Sequence, residues 1–339
     1  MKKLKILIGN NSLSLLAGSE TWVFTLANQL KEMGHSVFCY SPNLGIISEK
    51  LKENGIESFE DIKVGGIMPF TYVLEENLDH DYDFIIANHF HIVEKLRSKF
   101  PKTPIISTIH GILHISSDGT KAPEYPALES GVSQFISVSE EVQAKLQTEY
   151  GIDSLIIRNF FNLKQFDLPA PNEKPKQFLI NTNYADREDS AVKVVKEVAN
   201  EMGVRLAVVG QNFVQSFDIV SAIKDSDVVF GMGRSVLEGV AAGRLGIVHG
   251  RWGTGGVVKE DTINLLRHFN FSGRNSGDKL ATKEEIKDMI ERYYKPEVLK
   301  WGKDYIAREH NAVFAAENYL RIGRGLIGDD INSNAEKTS

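Results

Sequence analysis

The chain has 339 residues, 42% of them hydrophobic and 25% charged, with a net charge of −6 and one cysteine. That length exceeds one ordinary hydrophobic core and argues for two domains of globular composition. Residues 1–165 carry 15 Lys+Arg against 20 Asp+Glu, about −5, and the remainder 24 against 25, about −1. Neither half offers the basic field of a nucleic-acid binder or of strong docking on an anionic membrane.

Met1–Ile8 reads as a first strand, Lys5–Ile8, and not as a signal peptide, because its apolar run is short and Asn10, Asn11 and Ser12 follow at once. No run approaches the ~18–20 apolar residues that span a bilayer, so no transmembrane segment is expected. Cys39 has no partner for an internal disulfide, and a cytoplasmic location is expected.

A helix follows from about Glu20 to Met33, with Ser19 placed to cap it and Gly34 to end it. Val23, Leu26, Ala27 and Leu30 share one helical face. Further strands are predicted at Ser36–Tyr40, Phe84–Ala87, Ile105–Ile109, Phe135–Val138 and Leu155–Ile157. These runs are apolar on successive residues, as in a parallel sheet covered by helices on both faces.

The pattern breaks at 167–176, where Pro169, Pro171 and Pro175 with polar neighbours read as a linker. A second series then begins: strands at Phe178–Ile180, Leu206–Val209, Val228–Phe230 and Gly246–Val248, with helices at Asp189–Met202, Phe217–Lys224 and Ser235–Ala242. The end is helical over 283–292, 296–309 and 311–325. The expected division is a first domain over 1–166, a second over 177–310, a terminal helix over 311–327 packing back toward the first domain, and a disordered polar tail over 328–339.

Open parallel sheets bind ligands at the carboxyl ends of their strands, and four segments sit there. Gly18, ahead of Ser19 and Glu20, lets the backbone approach a ligand at a helix N-terminus, which favours an anion. It lacks the G-x-G-x-x-G spacing of dinucleotide proteins, which argues against an NAD dehydrogenase. His110 ends a strand and precedes Gly111; with His89, His91 and His114 it forms no recognisable zinc spacing. Arg187, in the loop after Phe178–Ile180, can grip a phosphate. The fourth and sharpest segment is Gly231-Met232-Gly233-Arg234-Ser235-Val236-Leu237-Glu238. Glycines after a strand, then a helix start bearing Arg234 and Ser235, suit a diphosphate, and Glu238 one turn inside suits the ribose hydroxyls. The glycine-rich run 249–256 supports it. Asp225-Ser226-Asp227 has the D-x-D form of a metal motif but precedes a strand, which reads as a turn.

In this order the segments resemble the family-four retaining glycosyltransferases of the GT-B fold. The resemblance is carried by Gly18-Ser19-Glu20 with Gly34-His35-Ser36-Val37, Thr108-Ile109-His110-Gly111, Val138-Ser139-Glu140, Arg158-Asn159-Phe160-Phe161-Asn162 and Asp227 through Gly243. It implies an α/β fold of two Rossmann-like domains facing a cleft, with C-terminal helices. It also implies transfer of a sugar from a nucleotide diphosphate sugar to a hydroxyl of a carbohydrate, glycolipid or protein acceptor, with retention and with neither metal nor cofactor. His110 and Arg234 would be the catalytic residues, and Gly18, Arg187, Gly231, Gly233, Arg234, Ser235 and Glu238 the donor-binding set. The family's two glutamates are separated by seven residues; Glu238 fits the second, and Phe230 stands where the first belongs. Alternatives are a nucleotide-sugar epimerase of the same fold and a non-catalytic nucleotide-sugar-binding partner subunit.

Overall fold

The computed structural model describes residues 2–15, 18–64, 71–74, 81–112, 116–117, 120–121, 131–183, 189–210 and 219–329. The chain forms two compact units: one of Met1–Val138, Val142–Phe160 and Ala312–Ser339, the other of Ser139–Glu141 and Phe161–Asn311.

The first unit begins β1 (Lys5–Gly9), α1 (Gly18–Glu32), β2 (Ser36–Tyr40), α2 (Ile46–Glu53) and β3 (Glu57–Phe59). A hairpin of β4 (Asp61–Val64) and β5 (Thr71–Leu74) follows, then β6 (Phe84–Asn88), α3 (Phe90–Lys99) and β7 (Ile105–Ile109). After the small ladder of β8 (Ser116–Ser117) and β9 (Thr120–Lys121) come β10 (Gln134–Ser137), α4 (Glu140–Tyr150) and β11 (Ser154–Ile156). Seven strands build one parallel sheet in the order β11-β10-β7-β6-β1-β2-β3. Every residue of β6 and β7 is buried, as strands covered on both faces require. Strand β3 and helices α2 and α3 were not anticipated from the sequence.

Helix α1 buries Trp22, Val23, Leu26, Ala27 and Leu30. The capping role expected of Ser19 is corrected: the helix already begins at Gly18, and the Ser19 hydroxyl donates to Glu20 Oε2 at 2.8 Å. A residue inside the first turn cannot serve as the half-in N-cap. At the other end Gly34 has φ 92°, and the His35 N–H bonds back to Leu30 O, so the glycine closes the helix as expected. His35 then accepts the Leu4 N–H on Nδ1 at 3.1 Å, tying the α1–β2 turn to the start of β1.

The last helix of the chain, α11 (Ala312–Leu326), belongs to this first unit. Its Tyr319 hydroxyl hydrogen-bonds Thr108 Oγ1 at 2.9 Å, and Gly323 lies against Phe84. The polar tail from 330 onward lies outside the described residues.

The second unit holds β12 (Gln177–Asn181), α5 (Ser190–Met202), β13 (Arg205–Val209), α6 (Ile219–Lys224), β14 (Val228–Gly231), α7 (Arg234–Ala241), β15 (Leu245–Gly250) and β16 (Gly253–Val257). Helices α8 (Ile263–His268), α9 (Lys283–Tyr293) and α10 (Pro296–Glu309) follow. The sheet order is β13-β12-β14-β15-β16, parallel except for β16. The run 249–256, read from the sequence as a glycine-rich strand end, is a β15–β16 hairpin with an irregular register. Asp189 caps α5 by accepting the Ala191 N–H at 2.8 Å, and Gly203 closes it in the left-handed region.

The proline segment 167–176 is not a free linker but part of this unit. Asp227 draws it in, accepting from the N–H groups of Asn172 (2.8 Å), Lys176 (2.7 Å) and Gln177 (3.1 Å). The fully buried Arg244 donates to the carbonyls of Pro169, Ile223, Lys224 and Ala242. The D-x-D pair thus has an architectural use: both oxygens of Asp227 are filled by protein donors.

Candidate functional site

In the second unit the site is built where β14 gives way to α7. Asn181 on β12 and Gly231 on β14 are register partners. A Cβ on Gly231 would sit 2.9 Å from Asn181 O and 3.0 Å from Ser235 Cβ. Glycine is what lets β12, β14 and the first turn of α7 meet so closely. Gly233, the N-cap, has φ 55° and ψ −126°, a conformation that opposes any β-carbon. Its N–H bonds Phe271 O at 2.8 Å, and the Ser235 N–H bonds Met232 O at 3.2 Å. Two of the amides expected to cradle an anion are thus engaged within the protein.

Arg234 and Glu238, one helical turn apart, form an ion pair at 3.5 Å, each side chain 14% exposed. The guanidinium lies 4.6 Å from the centre of the Phe161 ring, a cation–π distance. Burial pushes the Glu238 carboxyl above the usual carboxylate range, opposed by the Arg234 charge and by a hydrogen bond from the Asn181 side chain. Burial also lowers Arg234, opposed by Glu238. The two residues expected to hold phosphate and ribose are therefore partners, with Phe161 supporting the guanidinium.

Phe230 is fully buried, packed edge-on to Phe178 with centroids 5.7 Å apart and to His249 at 6.0 Å. Where the family places its first glutamate, this chain has a core ring. His249 beside it is also buried; Nε2 donates to Ala191 O at 2.9 Å and Nδ1 accepts from Thr254 Oγ1 at 2.7 Å. Arg187 and His114 lie outside the described residues.

In the first unit Gly18 opens α1 on the exposed surface, and a Cβ there would meet open space. No close contact explains this glycine. His110 follows β7 directly, and Trp22, one turn into α1, holds its ring edge-on at 5.1 Å. The two sequence-identified positions of this unit are thus linked through α1.

The neighbouring strand ends carry a polar group that the sequence reading missed. Asn10 is fully buried after β1; its Nδ2 donates to Ser12 O, and its Oδ1 accepts from Asn88 Nδ2 at 3.2 Å. Among the described residues Asn88 Oδ1 has no hydrogen-bonding partner. His89 caps α3 with φ 67°, rare for a non-glycine residue, and His91 Nε2 pairs with Asn11 Oδ1 at 2.8 Å. The signal was present as Asn10, Asn11, Asn88, His89 and His91 after the ends of β1 and β6, but nothing in their spacing marks them. Among the described residues no group of three or more His, Cys, Asp or Glu side chains is arranged to hold a metal ion, and no helix is long and apolar enough to cross a membrane.

Residues 16–165 match the model of Glycosyltransferase Family 4. A sequence search of the curated proteins finds no match. Among solved structures, a glycosyltransferase from Rickettsia africae superposes with a TM-score of 0.66 at 15% identity, over 97% of this chain and 100% of that one. HepE from Anabaena, solved in complex with UDP and glucose, gives 0.64 at 13% identity over 94% and 99%. Sucrose-phosphate synthase from Thermosynechococcus elongatus gives 0.59 at 12% identity over 97% and 100%. The α/β fold of two sheet-centred units is thus that of GT-B glycosyltransferases.

Proposed function

We propose that this chain, a glycosyltransferase by its family-four segment and its fold, moves a sugar from a nucleotide diphosphate sugar to an acceptor hydroxyl with retention. The observation that carries the reading is the turn from β14 into α7: a close-packed Gly231, the N-cap Gly233, and the Arg234–Glu238 pair in the first turns of the helix. A helix N-terminus and a guanidinium together suit a diphosphate, whose charge grows as the glycosidic bond breaks. A carboxylate suits the paired hydroxyls of a ribose, because both its oxygens accept. HepE, which shares the fold, was solved with UDP, and that supports a nucleotide ligand for this chain.

Catalysis is assigned to Arg234, stabilising the leaving diphosphate, and to His110, contacting the reacting sugar. Trp22 holds the His110 imidazole in place for that task. Gly18, Arg187 and Ser235 complete the proposed donor contacts. Transfer proceeds without a metal ion: Asp227, the D-x-D residue closest to β14, is committed to protein donors. Retention and the acceptor class follow the family resemblance alone.

The test is a titration with UDP, GDP, ADP and CMP, then product analysis with the sugar-nucleotide that corresponds to the tightest binder. Glu238→Gln is expected to weaken nucleotide binding about ten- to a hundredfold, as for loss of a charged hydrogen-bond partner, while melting stays near that of the parent. Turnover is expected to survive EDTA. Equal nucleotide affinity of parent and Glu238→Gln rejects the ribose assignment, and an epimerised sugar formed without acceptor replaces transfer by epimerisation.

A further inference from the structure

The donor reading leaves the diphosphate short of positive charge. The described guanidinium assigned to it, Arg234, is 14% exposed, paired with Glu238 and set over the Phe161 ring. The Gly233 and Ser235 N–H groups at the head of α7 are already engaged. A further cation at this edge would meet the need, and the turn between β15 and β16 carries one.

Strand β15 runs parallel to β14, with Gly231 opposite Val248, so both strands end at the same edge of the sheet. At that edge Gly250 pairs with Gly253 across a turn made of Arg251 and Trp252. A Cβ on Gly250 would lie 2.6 Å from Met232 Sδ, so this glycine lets the turn lie against the residue between Gly231 and Gly233. The segment after α8 fixes the turn. Gly253, at φ 104°, has Ser276 Oγ 2.0 Å and Lys279 O 2.9 Å from where a Cβ would sit, and Asn275 Nδ2 donates to Gly255 O at 3.1 Å. The same segment supplies Phe271 O to the Gly233 N–H. The β15–β16 turn and the head of α7 therefore share one support.

Two guanidinium groups flank the Trp252 ring, Arg251 at 5.4 Å and Arg274 at 5.7 Å from its centre. They differ in what else holds them. Arg274 grips Glu141 as a fork, Nε donating to Oε1 at 2.9 Å and Nη2 to Oε2, so its charge is answered within the protein. Arg251 is exposed and, among the described residues, has no hydrogen bond or ion pair. An indole orders a guanidinium without occupying its N–H donors, which leaves the fork open to an anion. We propose that Arg251, steadied by Trp252, is a contact for the donor diphosphate and forms the anion end of the site together with the head of α7. This rests on the donor-site reading above and extends it to a second element at the same sheet edge.

The experiment uses Arg251→Gln, which removes the charge and keeps a polar side chain, with Arg251→Lys and Trp252→Leu beside it. Uridine, UMP and UDP, the guanosine and adenosine series, and inorganic pyrophosphate are titrated at low and high salt. Arg251→Gln should bind the preferred diphosphate about tenfold more weakly, the loss typical of a hydrogen bond to a charged group. Its salt dependence should be shallower than the parent's, and its affinity for the nucleoside unchanged. Arg251→Lys should recover part of the loss, and Trp252→Leu should fall between parent and Arg251→Gln. Phenylglyoxal labelling read by peptide mass spectrometry follows the guanidinium itself. The preferred diphosphate should shield Arg251 and leave Arg205, exposed on the first residue of β13 at the opposite edge, as reactive as before. Unchanged diphosphate affinity in Arg251→Gln overturns the proposal, as does a loss of equal size for nucleoside and diphosphate, or labelling of Arg251 that the bound diphosphate does not slow. If the parent binds no nucleotide the donor reading fails by itself. Pyrophosphate then decides Arg251, which stands as a diphosphate contact if shielded and is rejected if not.

Discussion

The carboxyl edges of the two sheets are built from different materials. In the first unit the strand ends are filled by side chains: Asn10 and Asn88 fully buried, His91 against Asn11, His110 against Trp22. In the second unit the corresponding edge is packed backbone to backbone, with Gly231 against Asn181 O and Gly233 N–H against Phe271 O. Main chain presents the same groups whatever the sequence, and the dipole at the head of α7 suits an anion shared by many ligands even with the Gly233 and Ser235 N–H groups engaged within the protein. Side chains present different groups in each protein and suit a variable partner. The proposed transfer, with a nucleotide common to many donors and an acceptor that varies, would call for this division.

The largest effect is expected from breaking the frame under the second edge without touching the edge itself. Asp227→Ala removes a fully buried carboxylate that fixes Asn172, Lys176 and Gln177 and lies close enough to the buried Arg244 to interact with its charge. Loss of one member of such a set typically costs about 3–5 kcal/mol. Calorimetry should show the melting of the second unit shifted far down while the first melts as in the parent. A uniform shift of both would mean that the two units do not unfold separately. The same group adds an acid limit. Burial alone would raise the Asp227 pKa, but the donors from Lys176, Asn172 and Gln177 more than reverse that, so the net shift is downward from 3.8. Its stabilisation is present above pH 3.8 and is lost as the pH falls through the lower folded-state value.

The next effect sharpens the contrast directly. Gly231→Ala puts a methyl group where Asn181 O, Ser235 Cβ and Val236 N leave no room. Overpacking of this kind costs about 1–3 kcal/mol, and the displaced α7 should lose nucleotide affinity by a further measurable factor. Gly18→Ala in the first unit meets open space and should leave stability within about 0.5 kcal/mol of the parent. Melting curves of the two variants side by side check the pair. If Gly18→Ala nevertheless weakens donor binding, that glycine is needed by the ligand and not by the fold.

Much of the second edge was legible because glycine and strand endings leave marks in a sequence. The alternation of apolar runs with helical patterns placed the central strands, and the order Gly231, Gly233, Arg234, Glu238 marked a turn into a helix. What escaped were contacts between residues far apart in the chain. Nothing adjacent to Phe161 announces that its ring lies under Arg234, and nothing beside Gly233 announces that its N–H meets Phe271 O. The β15–β16 hairpin was hidden for the opposite reason: glycines that read as a strand end go on into strand β16 on the edge of the sheet. Phe230 was legible as a departure, and its burial supplies the physical reason: a glutamate there would be an uncompensated charge inside the core.

The smallest effect separates the units by pH. Each contains a buried histidine whose ring accepts a hydrogen bond and is therefore held neutral. His249 in the second unit is lowered from 6.5 chiefly by burial, opposed by the Ala191 carbonyl and by Asp189 at the head of α5. Its Nδ1 cannot accept from Thr254 once protonated, and the Thr254 hydroxyl is itself fixed by the Ala281 N–H. His35 in the first unit is lowered by burial and by Arg324, opposed by Asp83, and protonation would end its bond from Leu4 N. For both, the unfolded state binds more protons below pH 6.5 than the folded state does. Stability is therefore full above 6.5 and declines as the pH falls below it. His249 is the more enclosed, with both ring nitrogens engaged, so the second unit should lose more than the first. His249→Gln, an amide in place of the titrating ring, should flatten the pH dependence of the second melting transition between pH 5 and 7, at some cost in stability at neutral pH. His35→Gln should flatten only that of the first. An unchanged slope in the variant of either unit would remove that histidine from the account of its acid sensitivity.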